Sequence, residues 1–147
     1  FDAMIPLFKE RGVTKVYKAI AAGCIESREL TISQPLEGKP AETRVLVLAA
    51  GKTASYLTVK LITGRTHQIR KHLAHIGHPL AGERNYAGGG PVGDALRAVP
   101  RQMLHAEKLR FTSPISGEEI QCEALLPQDF RTCLQKLGLS PGHPQVR

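Results

Sequence analysis

The sequence predicts an α+β fold, a mixed and largely antiparallel sheet flanked by a few helices. Three observations carry this. Stretches with strand character, rich in Val, Leu, Ile and Thr and alternating along the chain, outnumber all others. Most of them follow one another across short turns, which joins neighbours as antiparallel hairpins. Stretches with helical spacing are few, and no internal repeat or low-complexity block breaks the pattern.

Taken in order, residues 1–11 place Ala3 and Leu7, with Met4 and Phe8, on an apolar stripe, so a helix is expected there. Pro6 limits its first turns and Gly12 stops it. Residues 14–22 read as a strand. Lys15, Tyr17, Ala19 and Ala21 point one way, and Val16, Lys18, Ile20 and Ala22 the other. Residues 29–32 form a short strand, and 34–40, with two prolines and a glycine, a loop. Residues 43–49 and 54–63 are strands joined by the Gly51-Lys52 turn into a hairpin, the second alternating Leu57, Val59 and Leu61 against Thr58, Lys60 and Ile62.

A helix follows, capped by Thr66 and closed by Gly77. Ile69, Leu73 and Ile76 are its buried stripe, with Gln68, Lys71, His72 and His75 off it. Residues 78–93 read as irregular, with Gly88-Gly89-Gly90 as a surface loop, and 94–99 as a helical turn. Residues 103–112 and 119–125 are strands around a Ser116-Gly117 turn. Residues 127–137 form a closing helix with Phe130, Leu134 and Leu137 inward, capped by Gly138. The expected division is one domain over 1–138 and a flexible tail over 139–147.

The chain has 147 residues, enough for one domain with a real core, and opens on Phe1 rather than Met, as a segment of something longer would. Apolar residues make up 41%, no run approaches the length of a membrane-spanning helix, and no signal-peptide pattern opens the chain. There are 20 Lys+Arg against 13 Asp+Glu, a net charge of +7, and the pI is about 9.6. That balance points to a polyanionic partner, nucleic acid first, with a merely basic protein as the alternative. Aromatics at 5% and the absence of Trp argue against a broad base-stacking platform. Cys24, Cys122 and Cys133 are scattered and odd in number, without Cys-x-x-Cys; they fit a reducing compartment and read as packing residues.

The chemistry concentrates where the strand over 54–63 meets the next helix. After Gly64 come Arg65, Thr66, His67, Gln68, Arg70, Lys71 and His72, interrupted only by Ile69. Guanidinium, hydroxyl, imidazole and amide groups crowd the first turns of a helix whose backbone N–H groups also attract anions. The corner reads as an anion-binding site, with phosphate the obvious anion. Arg70, three residues after His67, shares a face with it. The histidines His67, His72, His75 and His78 do not make a zinc site: His72-x-x-His75-x-x-His78 is not a zinc spacing, no Glu lies between them, and the cysteines are distant. No metal is expected.

Thr63-Gly64-Arg65-Thr66-His67-Gln68-Ile69-Arg70-x-His72-Leu73 followed by Gly77-His78-Pro79-Leu80-x-Gly82 resembles the third motif of the RluA family of RNA pseudouridine synthases. Upstream, Phe8-x-x-Arg11-x-Val13-x-Lys15-x-Tyr17-x-Ala19 resembles the family's Lys-x-Tyr motif. Downstream, Leu104-His105-Ala106-x-x-Leu109-x-Phe111 and Pro127-x-Asp129-Phe130 resemble its closing strand and helix. The resemblance spans residues 8–137 in the right order. It implies a pseudouridine synthase-like fold, isomerisation of uridine to pseudouridine in structured RNA (ribosomal or transfer), and no metal or organic cofactor. The base is flipped from its stack, since its glycosidic bond is otherwise hidden.

The resemblance also assigns residues. Tyr17 and Arg70 are the expected catalytic pair. Tyr17 stacks on the uracil and helps move the C5 proton, and Arg70 pairs with the family's catalytic aspartate. Lys15, Arg65, Thr66, His67, Gln68, Lys71 and His72 are expected to contact RNA. Alternatives remain for several: a half-buried strand position for Tyr17, a surface arginine for Arg70, capping alone for Thr66, and loop-orienting hydrogen bonds for His67 and Gln68. Lys71 has the alternative of an ordinary solvated side chain. Ile69 lines the pocket or packs in the core.

The family's aspartate sits in a His-Arg-Leu-Asp motif that this chain lacks. Its aspartates are Asp2, Asp94 and Asp129, and Asp129 falls in the non-catalytic Pro-x-Asp-Phe. The expectation is therefore the C-terminal part of a synthase catalytic domain, inactive alone, with its nucleophile before Phe1. A non-catalytic RNA-binding module on the same fold is the alternative. No membrane association and no obligatory protein partner are expected, and the location is cytoplasmic or an organellar matrix.

Overall fold

In the computed structural model residues 13–86 and 94–139 are described. The expected helix over 1–11 with its Gly12 stop, Asp2, the motif residues Phe8 and Arg11, the Gly88-Gly89-Gly90 loop and the chain beyond 139 lie outside them. The order is β1 (Val13–Ala22), β2 (Glu29–Ile32), β3 (Thr43–Ala50), β4 (Ala54–Leu61), α1 (Gln68–His75), α2 (Asp94–Arg97), β5 (Leu104–Thr112), β6 (Glu119–Glu123) and α3 (Gln128–Lys136).

The strands form a six-stranded sheet in the order β2-β3-β4-β1-β5-β6, antiparallel in every pairing. The β3–β4 and β5–β6 hairpins follow from their short turns. β1 takes the centre, pairing β4 on one side and β5 on the other, and the β1–β5 register shifts between Val16 and Tyr17. A bulge there strengthens the local twist at the residue the site depends on.

Alternation sorts the side chains onto two faces. Ala19 and Ala21 of β1, Leu57 and Val59 of β4, and Val45 and Val47 of β3 pack with Ile69 and Leu73 of α1. On the other face Ile20 and Ala22 pack with Tyr56, Leu96, Met103, and Phe130 and Leu134 of α3. Phe130 is fully buried, 6.2 Å from the Tyr56 ring. Arg101 donates from Nε and Nη2 to the Asp129 carboxylate at 2.7 and 3.0 Å, tying the start of α3 to the approach to β5.

Both longer helices end in the same way. Gly77 and Gly138 have positive φ, and the N–H groups of His78 and Leu139 reach back to the carbonyls of Leu73 and Leu134. These are Schellman closures. Leu139, the first residue of the expected tail, is 3% exposed and packed in the core beneath α3, and the remainder of that tail lies outside the described residues. A hydrophobic residue just beyond the αL glycine folds back onto the helix's last turn, so it belongs to the helix end.

The segment after α1 is irregular, as expected, but pinned. Ala22 N–H donates to Pro79 O at 2.7 Å, Ala81 N–H to Ile20 O at 2.8 Å, and Met103 N–H to Ala81 O at 2.9 Å. His78 Nδ1–H donates to Ala22 O at 2.8 Å. These bonds fix the chain across the end of β1 and deliver Glu83 to the α1 face. Cys24 and Cys122 are exposed rather than packed, because both lie where nothing among the described residues covers them; Cys133 alone packs against a core cluster.

Candidate active-site corner

The turn from β4 into α1 is built on buried polar groups. Thr63 hydroxyl donates to Gln68 Oε1 at 2.6 Å and accepts the Glu42 N–H at 2.9 Å. Gln68 Oε1 also accepts Arg65 N–H, while its Nε2 donates to Glu42 O and Thr43 Oγ1, each at 2.9 Å. The Thr43 hydroxyl in turn donates to His72 Nδ1 at 2.7 Å, and His72 Nε2–H donates to Gln34 O at 2.8 Å. With Nε2–H on the Gln34 carbonyl, neutral His72 has Nδ1 free to accept the Thr43 hydroxyl, so every group in the relay is used. Burial, opposed in part by the Gln34 carbonyl, pushes the His72 pKa below its ordinary value.

This lattice corrects three expectations. Gln68 is 3% exposed and His72 fully buried, with both ring nitrogens and both amide atoms spent inside the fold. Neither offers a group to phosphate: they hold β3 against α1. For Gln68 this is the loop-orienting alternative. Thr66 is exposed and does not cap α1; the N-cap is His67, at φ 51° and ψ 35°, without a side-chain capping bond. The left-handed residue turns the chain so sharply that Thr66 faces outward, and the Gln68 amide satisfies Arg65 N–H in place of a cap.

Arg70 is not the surface arginine of the alternative. It is 8% exposed, and its Nε and Nη2 donate to the two carboxylate oxygens of Glu83 at 2.9 and 2.7 Å. Tyr86 lies over the guanidinium, 4.9 Å from Cζ to the ring centroid. The Tyr86 hydroxyl shares a 2.8 Å hydrogen bond with His67 Nδ1, so the ring is held from both sides. Burial alone would raise the Glu83 carboxyl, but the Arg70 fork with the Asn85 and Tyr86 N–H groups outweighs it and brings the group below its ordinary value. The same fork raises Arg70 further, keeping it cationic. Among the described residues Arg70 Nη1 meets no acceptor.

Lys15 and Tyr17 come to the same face from β1, opposite Leu61 and Val59 of β4. Lys15 Nζ would stand 3.4 Å from a Cβ at Gly64, so it reaches the turn ahead of the corner. Tyr17 is half-buried against the cluster that holds Ile69 and Leu73, and burial raises its phenol. It lines a cavity of about 320 Å³ with Lys15, Ala106, Leu109, Cys122 and Ala124. Arg65 donates from Nε to Pro40 O at 2.7 Å, and Lys71 sits 3.8 Å from Glu37. Ile69 is 4% exposed, a core residue. Among the described residues no group of three or more His, Cys, Asp or Glu is placed to hold a metal ion. Asp129 lies in its pair with Arg101, on an element of the opposite face.

The model of the RNA pseudouridylate synthase family matches residues 2–75, a span that holds β1, the corner and α1. The chain belongs to this family. A ribosomal large subunit pseudouridine synthase D of Haemophilus ducreyi is 37% identical over 156 residues, covering 91% of this chain and 48% of that protein. The protein of the same description from Neisseria meningitidis serogroup B is 35% identical, covering 96% of this chain and 43% of its own length. The chain thus spans about half the length of these relatives. Among solved structures, human RNA pseudouridylate synthase domain containing 1 superposes with a TM-score of 0.73 at 28% identity, covering 99% of this chain and 73% of that one. The fold expected from the resemblance is the one observed.

Within this family site the sequence reading missed Glu83, Tyr86 and Thr43. Glu83 directly follows the Gly-His-Pro-Leu-x-Gly motif that ends at Gly82, and a carboxylate there, among Arg70, Lys71 and Arg84, was the available signal. Thr43 carried none: only the pairing of β3 with β4 places it under α1.

Proposed function

We propose that this chain forms the C-terminal part of a synthase domain that isomerises uridine to pseudouridine in structured RNA, ribosomal or transfer. The nucleophilic aspartate comes from a segment upstream of Phe1. The observation that carries this is Arg70, a buried guanidinium clamped on one edge by Glu83 and holding Nη1 for another acceptor. A second carboxylate entering there finds a fixed cation that keeps it ionised. The bond from uracil N1 to the ribose C1′ breaks, the base turns, C5 bonds to C1′, and C5 gives up its proton. Tyr17, lining a cavity on the same sheet face, offers a ring to stack the flipped base and a hydroxyl to relay that proton. Lys15, Arg65, His67 and Lys71 surround the corner with donors for phosphate. The reaction uses no metal or organic cofactor, RNA is the one partner invoked, and a cytoplasmic or organellar-matrix location suits it.

In the protein extended upstream to include its aspartate, Arg70→Ala abolishes turnover while RNA affinity falls by less than roughly threefold, since Arg70 serves the reacting groups and not the backbone. Wild-type turnover in that variant would sink the proposal.

A further inference from the structure

Glu83 is a carboxylate whose side chain is only 1% exposed, on a segment with no regular structure. Burying an ion pair is a poor way to gain stability, because an apolar pair of the same volume packs as well. Yet the fold invests in placing it. Glu83 N–H donates to Leu80 O, and its Oε2 accepts the N–H groups of Asn85 and Tyr86. Gly82 immediately before it has φ +83°, and a Cβ there would overlap the Arg101 carbonyl. Arg84 immediately after it donates from Nη1 and Nη2 to the carbonyls of Arg97 and Val99, both at 3.0 Å. The carboxylate is held from its own backbone, from the residue before and from the residue after.

The bonds it makes are directional. The fork takes Nε and Nη2 of Arg70, and the Tyr86 ring covers the guanidinium plane. Rotation of the guanidinium about its stem is thereby stopped, and Nη1 keeps one direction. We infer that Glu83 is a positioning residue of the site: it fixes the Arg70 guanidinium so that Nη1 meets the reacting carboxylate, and its negative charge offsets part of the field that carboxylate feels. The inference rests on the role proposed above for Arg70. Its consequence is electrostatic as well as geometric. Without the Glu83 charge, the reacting carboxylate faces the whole of the Arg70 cation and ionises at lower pH.

The test uses the upstream-extended protein with Glu83→Gln, which keeps volume and one acceptor but loses the charge. The kcat for tritium release from 5-tritiated uridine in RNA falls about tenfold or more, and the KM changes by less than about threefold. The acid limb of kcat/KM moves down by roughly half to one pH unit. Glu83→Asp returns the acid limb toward wild type while recovering only part of kcat. A readout independent of turnover is the Arg70 Nε–H resonance, slow to exchange with water in the wild type and at least about tenfold faster in Glu83→Gln. Wild-type kcat and pH profile in Glu83→Gln, or an unchanged Arg70 resonance, overturns the inference. A loss of kcat with an unmoved acid limb reduces Glu83 to a structural residue and overturns it equally. Should the wild-type extended protein release no tritium, the proposed function fails, and the Arg70 resonance alone decides whether Glu83 fixes the guanidinium. If Glu83→Gln does not fold, the same comparison runs on Glu83→Asp, whose shorter arm loosens the fork.

Discussion

His72 shows how a residue in a functional motif can act entirely inward. Removing its bridge between Thr43 and Gln34 takes the acceptor from the buried Thr43 hydroxyl and the donor from the Gln34 carbonyl, bonds of 2.7 and 2.8 Å, while Thr43 Oγ1 keeps the Gln68 amide. His72→Ala therefore lowers stability by about 2–4 kcal/mol, read from denaturant midpoints, with the cavity and the orphaned groups both contributing. The pH dependence has a definite sign. Burial depresses the folded pKa of His72, so the unfolded chain binds the extra proton first as pH falls. Its contribution is full above about pH 6.5, the ordinary value, and is lost as pH drops from there toward the folded value. Thermal unfolding of the wild type between pH 7 and 5 shows that loss, and His72→Gln flattens it; equal slopes would contradict the neutral relay. Sequence spacing placed Gln68 and His72 off the apolar stripe of α1, and they are off it. It could not show that the polar face also lies on protein, because Thr43 and Gln34 arrive from β3 and a loop well upstream. The variety of groups after Gly64 was legible; which of them turn outward was not, since one left-handed residue, His67, sets the direction.

At the level of elements, the strands and both longer helices were legible because each carries its own period and its own glycine stop. The Schellman ends at Gly77 and Gly138 are local chemistry and were visible as glycines past the last apolar residue. The segment after α1 was not legible. It has no period, and its course is dictated by contacts to β1, to α2 and to the approach to β5. Gly82 is its most constrained point, at positive φ against the Arg101 carbonyl. Gly82→Ala forces that segment to shift and takes Glu83 with it. The expected result is a loss of about 2 kcal/mol or more in stability and loss of the Arg70–Glu83 fork. Gly77→Ala, also at positive φ but with open space around its Cβ, costs about 1 kcal/mol and leaves the fork intact. Comparing the Arg70 Nε–H resonance in the two variants separates strain at a helix end from displacement of the site.

For the whole molecule, the net charge of the chain is +7, and the corner beside α1 carries Lys15, Arg65 and Lys71. Those side chains predict RNA affinity that falls steeply with salt, by roughly tenfold or more between 50 and 200 mM, measured by filter binding. A flat salt response would remove phosphate contacts from the account. The fold class came from periodicity and the family from one long motif. The division of labour within that motif needed the assembled sheet, because β1, between β4 and β5, brings Lys15 to the turn ahead of α1 and packs Tyr17 against the cluster that holds Ile69 and Leu73. The most direct test of the central claim is tritium release from RNA carrying 5-tritiated uridine, with residues 1–147 run beside the protein extended upstream through its aspartate. The account predicts release by the extended protein alone. Release by residues 1–147 would contradict it, as would an extended protein that binds ribosomal and transfer RNA yet leaves the label in place.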